Sequence, residues 1–203
     1  MIVSYTSVVS GDPGPTSADR TAFDVVDGIQ MGWLTSLAKV ITHLGSPGVV
    51  IPLAAVSAIA LAATRRWAEF WVIVAGTLII VLGVHDIKVE VDRPRPAGGL
   101  VDVTGSSFPS GHAAYSAFYL WAAATIALRL RPGTGRSTGL IATGIAIPAL
   151  VGLSRVYLGV HYLSDVSSGW ALGVSAYALC AAIALVTVQL RQNPADAARQ
   201  DRN

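Results

Sequence analysis

The chain is 203 residues long, 53% hydrophobic and only 13% charged, with a mean hydropathy of +0.57. Soluble globular domains carry about 25% charged residues, so this balance excludes a disordered or low-complexity chain and an ordinary water-soluble enzyme. It points instead to lipid as the solvent. A formal net charge of +2 implies no large polyanion-binding face and sets nucleic acid aside as a partner.

Residues 11–20 read as a loop rich in Gly and Pro. Over residues 22–43, Phe23, Val26, Ile29, Leu34, Leu37, Val40 and Ile41 recur with helical spacing, interrupted by Asp24, Asp27 and Lys39. That pattern predicts an amphipathic helix lying on the outer membrane surface. No basic segment and apolar run of signal-peptide type precede it. Five apolar stretches follow, at approximately 47–64, 67–86, 112–130, 138–156 and 166–190. Each is long enough to cross a bilayer, and backbone groups in hydrocarbon must be satisfied internally, so the stretches are read as helices. The expected fold is all-α: a polytopic membrane helix bundle of about five spans plus the N-terminal interfacial helix. It divides into a segment at 1–21, a membrane domain at 22–190 and a polar cytoplasmic tail at 191–203. Cys180 lies inside the last apolar stretch, and one thiol makes neither an internal disulfide nor a Cys-based metal site. In that same stretch Gly169-x-x-x-Gly173 predicts close helix packing; a role in a homo-oligomer stays open.

The loops are sorted by charge. Arg65, Arg66, Arg129, Arg131, Arg136, Arg191, Arg199 and Arg202 all fall on one side if the stretches alternate, and the positive-inside rule makes that side cytoplasmic. The opposite side holds nine of the twelve acidic residues and three unusual polar clusters. Ionisable groups gathered at the ends of membrane helices are functional candidates. The first cluster runs from Lys88 to Pro96, with Pro94 and Pro96 ending the helix, and Arg93 is read as a loop or headgroup contact. The second, Pro109-Ser110-Gly111-His112, resembles a helix start, whose free N–H groups suit an anion and whose histidine can move a proton. In the third, Ser154-Arg155 precedes His161 and Asp165. Those two are four apart, so on a helix they share a face, and a carboxylate holding Nδ1–H leaves Nε2 free to attack. Cations, two histidines and one carboxylate on one face suit phosphoryl transfer. The surrounding positive charge would repel a divalent metal, so no metal or cofactor is expected.

In order, these clusters resemble the signature of the type 2 phosphatidic acid phosphatase superfamily: Lys-x6-Arg-Pro, Pro-Ser-Gly-His and Ser-Arg-x5-His-x3-Asp. Here they read Lys88 to Arg95-Pro96, Pro109 to His112, and Ser154-Arg155 to His161 and Asp165. The resemblance implies that His161 is the nucleophile and forms a phosphohistidine, that Asp165 orients it, and that His112 is the general acid. It implies that Lys88, Arg95 and Arg155 bind phosphate with help from Ser110 and the Gly111 N–H, without a metal. Such proteins usually have six spans with an amphipathic helix after the first. Met1–Ser10 is therefore read as the stump of a missing first span, against a genuine five-span protein. The expected activity is hydrolysis of a lipid phosphate at the extracytoplasmic face of the cell membrane. Polyprenyl diphosphate, phosphatidic acid and phosphatidylglycerol phosphate are the candidates. Only 12 residues separate Pro96 from Pro109, which leaves little room for an added domain and favours a substrate entering from the bilayer. A phosphotransferase passing phosphate to an alcohol, or a non-catalytic headgroup binder or transporter, are the alternatives. The His161–Asp165 pair weighs against the binder, which would need only the cations.

Overall fold

The computed structural model describes residues 14–129 and 133–200, the last ten as backbone only. Seven helices make up these residues, with no strand among them: α1 (Ser17–Gly28), α2 (Gly32–His43), α3 (Pro47–Ala63), α4 (Trp67–Val91), α5 (Gly111–Leu128), α6 (Thr134–Tyr157) and α7 (Leu163–Gln200). The reading of Met1–Ser10 as a stump lies outside the described residues.

The N-terminal region departs from expectation in two ways. The helix starts within the segment read as loop, because Thr16 and Asp19 form a reciprocal capping box. The Thr16 hydroxyl accepts from the Asp19 N–H, and the Asp19 carboxylate accepts from the Thr16 N–H, satisfying two donors that a helix start leaves orphaned. The single amphipathic helix expected over 22–43 is instead two helices broken at 29–31. Gly28 and Gly32 flank the break and are poor helix formers. The free Met31 N–H finds a partner at 3.1 Å in the Tyr157 hydroxyl of α6. The second half is more apolar than its pattern implied: α2 and α3, separated by the Leu44–Ser46 turn, form one continuous apolar stretch, Gly32–Ala63.

Among the described residues, four stretches are long and apolar enough to cross a membrane: Gly32–Ala63, Trp67–Val91, Thr134–Tyr157 and Leu163–Leu190. The third expected span, α5, is helical but is not among them. It carries His112, Tyr115, Ser116, Tyr119 and Trp121, and packs against α3, α4, α6 and α7. A helix enclosed by other helices has no lipid to match, so it tolerates polar side chains that a lipid-facing helix would not. Its Ala113, Ala114, Ala117 and Ala122 are fully or almost fully buried.

Small residues set how closely α5 and α7 approach. A Cβ on Gly169 would stand 2.5 Å from the Ser110 carbonyl oxygen, and one on Gly173 would collide with the Ala114 carbonyl. The Gly169-x-x-x-Gly173 stripe thus packs inside the chain, against the first two turns of α5. At the other end, Glu69 bonds both Arg66 at 2.8 Å and Arg129 at 3.1 Å. The Arg-rich ends of α4 and α5 therefore meet opposite the end where His112 stands.

Candidate active site

Four helix ends carry the three clusters to one place. α4 terminates at Asp92, whose φ of 41° turns the chain out of the helix. Lys88 is left one turn inside, and Arg93 to Pro96 follow in extended form. The 93–96 strip is fastened to the second cluster: the Ser107 N–H donates to the Arg93 carbonyl at 2.8 Å, and the Ser107 hydroxyl to the Pro94 carbonyl at 3.1 Å. A cis Phe108–Pro109 bond then delivers Ser110 to the N-cap of α5. The Ser110 N–H donates to the Asp165 carbonyl at 3.0 Å, which ties the start of α5 to the start of α7. Between α6 and α7 the chain turns at Gly159, where φ is +67°; the left-handed conformation there suits a residue without a Cβ.

His161 is buried in this turn. Its Nδ1 faces the Asp165 carboxylate at 3.4 Å, and its Nε2 lies 3.2 Å from an Arg95 Nη. A guanidinium has only donors, so Nε2 must be the acceptor and the ring proton sits on Nδ1, toward Asp165. Burial is the main cause that pulls the imidazole pKa down to about 4. The Asp165 hydrogen bond and charge push it up, while Arg155 and Arg95 push it down. At neutral pH the ring is uncharged, with its lone pair on Nε2.

The expected phosphate ligands are held mostly by backbone carbonyls. Lys88 donates to the Ser106 carbonyl. Arg95 spans the Thr104, Gly105, Ser106 and Val160 carbonyls. Arg155, itself buried, donates from one Nη to the Thr42 hydroxyl at 2.9 Å. Among the described residues none of these three cations is in a salt bridge. Lys88 lies close enough for the charges of Arg95 and Arg155 to act on it, and those two arginines also act on His112 and His161. Two polar atoms here are buried without a partner: Ser110 Oγ and Arg155 Nε. The Ser110 hydroxyl makes no bond to its own helix. Orphaned buried polar atoms are uncommon, and at a site lined with cations they suit an anion. Among the described residues no group of three or more His, Cys, Asp or Glu could hold a metal ion.

Two features escaped the sequence. Thr42, the partner of Arg155, arrives from α2, where its own stretch gave no signal. Arg93 lies in the loop after α4, as read, but it is buried rather than set out toward a headgroup. It has no exposed surface, bonds Asp165 Oδ1 at 2.6 Å and Asp19 Oδ2 at 3.3 Å, and lies with its Cζ 4.1 Å from the centre of the Tyr162 ring. The signature leaves its position unassigned, so only the folded contacts reveal it.

A family model described as the PAP2 superfamily matches residues 66–189, a range that contains all three clusters. The chain is 32% identical over 163 residues to phosphatidylglycerophosphatase B of Bacillus subtilis (strain 168), across 78% of this chain and 79% of that protein. It is 35% identical over 152 residues to decaprenylphosphoryl-5-phosphoribose phosphatase of Mycobacterium tuberculosis, across 72% and 78%. The crystal structure of the first transmembrane PAP2 type phosphatidylglycerolphosphate phosphatase from Bacillus subtilis is similar at a TM-score of 0.72 and 30% identity. That likeness covers 82% of this chain and 84% of the other. Aquifex aeolicus LpxE, at 24% identity, shares the fold with a TM-score of 0.62 over 80% of this chain and 92% of its own.

Proposed function

The chain belongs to the PAP2 superfamily, and from that membership we propose that it is an integral membrane lipid phosphatase working through a phosphohistidine at His161. The observation that carries this reading is a neutral imidazole whose Nε2 is 3.2 Å from Arg95, in a cluster of three cations that make no salt bridge among the described residues. Fixed cations with a charge deficit favour a species that gains negative charge on its equatorial oxygens, as a phosphoryl group does in transfer.

Arg95 hands its Nη from His161 to a phosphoryl oxygen, and the freed Nε2 attacks phosphorus. The bond to the leaving oxygen breaks as His112, entering the step as the imidazolium beside the bound anion, gives that oxygen a proton. Asp165 accepts from Nδ1–H and stabilises the imidazolium character that develops. In the second half, His112 takes a proton from water, the oxygen attacks phosphorus, and the P–Nε2 bond breaks to release phosphate. Lys88, Arg95 and Arg155 hold the equatorial oxygens, with Ser110 Oγ and the Gly111 N–H at the α5 start. The substrate is a lipid phosphate with its headgroup at the interface and its tail in the bilayer: a polyprenyl diphosphate, phosphatidic acid or phosphatidylglycerol phosphate. The named activities of the relatives, which include a phosphatidylglycerophosphatase and a decaprenylphosphoryl-sugar phosphatase, support that class. The Arg-rich loops at the far end support an active site on the extracytoplasmic face.

The test is phosphate release from detergent-purified protein, with those three lipids as a panel. Wild type releases phosphate from at least one, EDTA leaves the rate unchanged, and His161→Ala is inactive. Equal rates for His161→Ala and wild type would remove the nucleophile assignment.

A further inference from the structure

Behind His161 lies a second polar cluster that the signature does not describe. Asp165 receives Arg93 on Oδ1 at 2.6 Å and the Tyr162 N–H on Oδ2 at 2.9 Å, the oxygen that faces His161. The other Nη of Arg93 reaches the Gly14 carbonyl at 2.8 Å and Asp19 Oδ2 at 3.3 Å. Ser164 closes the circuit. Its hydroxyl accepts from Arg93 and donates to Asp19, both at 2.8 Å, and its N–H donates to Asp19 Oδ1 at 2.8 Å. Arg93, Asp19 and Asp165 all have no exposed surface.

A buried carboxylate with one oxygen on an imidazole can rotate unless its other oxygen is fixed. A guanidinium fixes it well, because its planar fork is rigid and its charge is permanent. The fork is itself held by Asp19, which sits at the third position of α1 with the Thr16 cap below it. Burial alone would raise the Asp19 pKa, but hydrogen bonds from Ser164 and Thr16 hold it below the ordinary carboxylate value. We propose that Arg93, anchored by Asp19 of helix α1, is a positioning residue that locks the Asp165 carboxylate against His161 Nδ1.

This rests on the phosphohistidine reading, and the test separates the two. Arg93→Lys keeps the charge but loses the fork. Asp19→Asn keeps the shape but weakens the anchor. Each variant is measured alone and in an Asp165→Asn background, with phosphate release at saturating and limiting lipid and with thermal unfolding in detergent. A misplacement of the reacting groups by an ångström costs about 10²-fold. Arg93→Lys is therefore expected to lower kcat by about 10- to 100-fold and Asp19→Asn by less, with KM within about twofold of wild type. In the Asp165→Asn background neither causes a further loss, because both act through the carboxylate that is already altered. Three results would overturn the proposal: equal losses in both backgrounds, a raised KM at unchanged kcat, or loss of the cooperative unfolding transition in both variants. Activity surviving in His161→Ala would instead overturn the nucleophile assignment beneath it.

Discussion

Arg93 and Arg95 stand two residues apart on one extended strip, yet they belong to regions of opposite electrostatic character. Arg93 is enclosed with two carboxylates, two hydroxyl or carbonyl partners and an aromatic face. Arg95 touches carbonyls and one neutral imidazole nitrogen, and shares its neighbourhood with Lys88 and Arg155. The first region sets its one cation against two carboxylates and is closed. The second carries three cations that make no salt bridge among the described residues, with the charge of Asp165 reaching Lys88 and Arg95 from behind. A buried charge without a partner is costly, so the second region has free energy to gain from an anion, and the first has none. Close pairing with carboxylates fits the positioning role proposed for Arg93, and the lack of a salt bridge fits the phosphate-binding role proposed for Arg95.

That contrast can be broken by exchanging one residue from each region for a side chain of similar length without charge. Arg93→Met leaves two buried carboxylates with no cation between them. Removing one member of such a set typically costs about 3–5 kcal/mol, so the variant is expected to lose most of its unfolding transition. Arg155→Met removes a repelling charge instead. Its thermal midpoint should be unchanged or higher, while its kcat/KM falls by about 10²–10³, the usual effect of deleting one transition-state donor. A destabilised, active Arg155→Met would reverse the assignment of the two regions.

Ligand linkage gives the next effect in size. Vanadate, a mimic of pentacoordinate phosphorus, should raise the stability of the wild type by about 2.7 kcal/mol at 100 times its Kd. Calorimetry should show most of that gain missing from Arg155→Met. Acid comes next. The imidazole of His161 is held at about 4 against an ordinary value of 6.5. Between those values the unfolded chain binds a proton that the folded chain refuses. Stability present above 6.5 is therefore lost as pH falls through the window toward 4. Melting curves across that range should slope less steeply for His161→Ala than for wild type. Smallest is the cap: Thr16→Ala should cost about 1 kcal/mol, with a loss of kcat smaller than that of Asp19→Asn.

Much of this was legible before folding, and the reason differs by feature. The apolar stretches placed the helices from α3 to α7 to within about five residues, except that α7 continues to Gln200 beyond the expected end at 190, because hydrocarbon length is a one-dimensional constraint. The three clusters pointed to one place because their residues lie close in sequence to helix ends, and the Ser110 N–H joins the start of α5 to Asp165 of α7. The N-terminal third was less legible. The α1–α2 break depends on a Tyr157 hydroxyl 126 residues away. Thr42 acquires a role only when α2 lies beside Arg155. Asp19 fell in the segment read as loop, and only Ser164, 145 residues away, makes it a buried anchor. The helix α5 misled in a different sense: its His, Tyr and Trp residues lower its hydropathy because protein, not lipid, surrounds it.

The bond from Ser164 back to Asp19 has a consequence for how the protein is made. Both ends of the circuit behind His161 are distant in translation: α1 leaves the ribosome well over a hundred residues before α7. Until α7 joins the bundle, Arg93 has Asp19 alone as a carboxylate partner, and neither His161 nor Asp165 has its neighbours. The circuit behind His161 therefore closes only once α7 has joined the bundle, however early the other helices assemble.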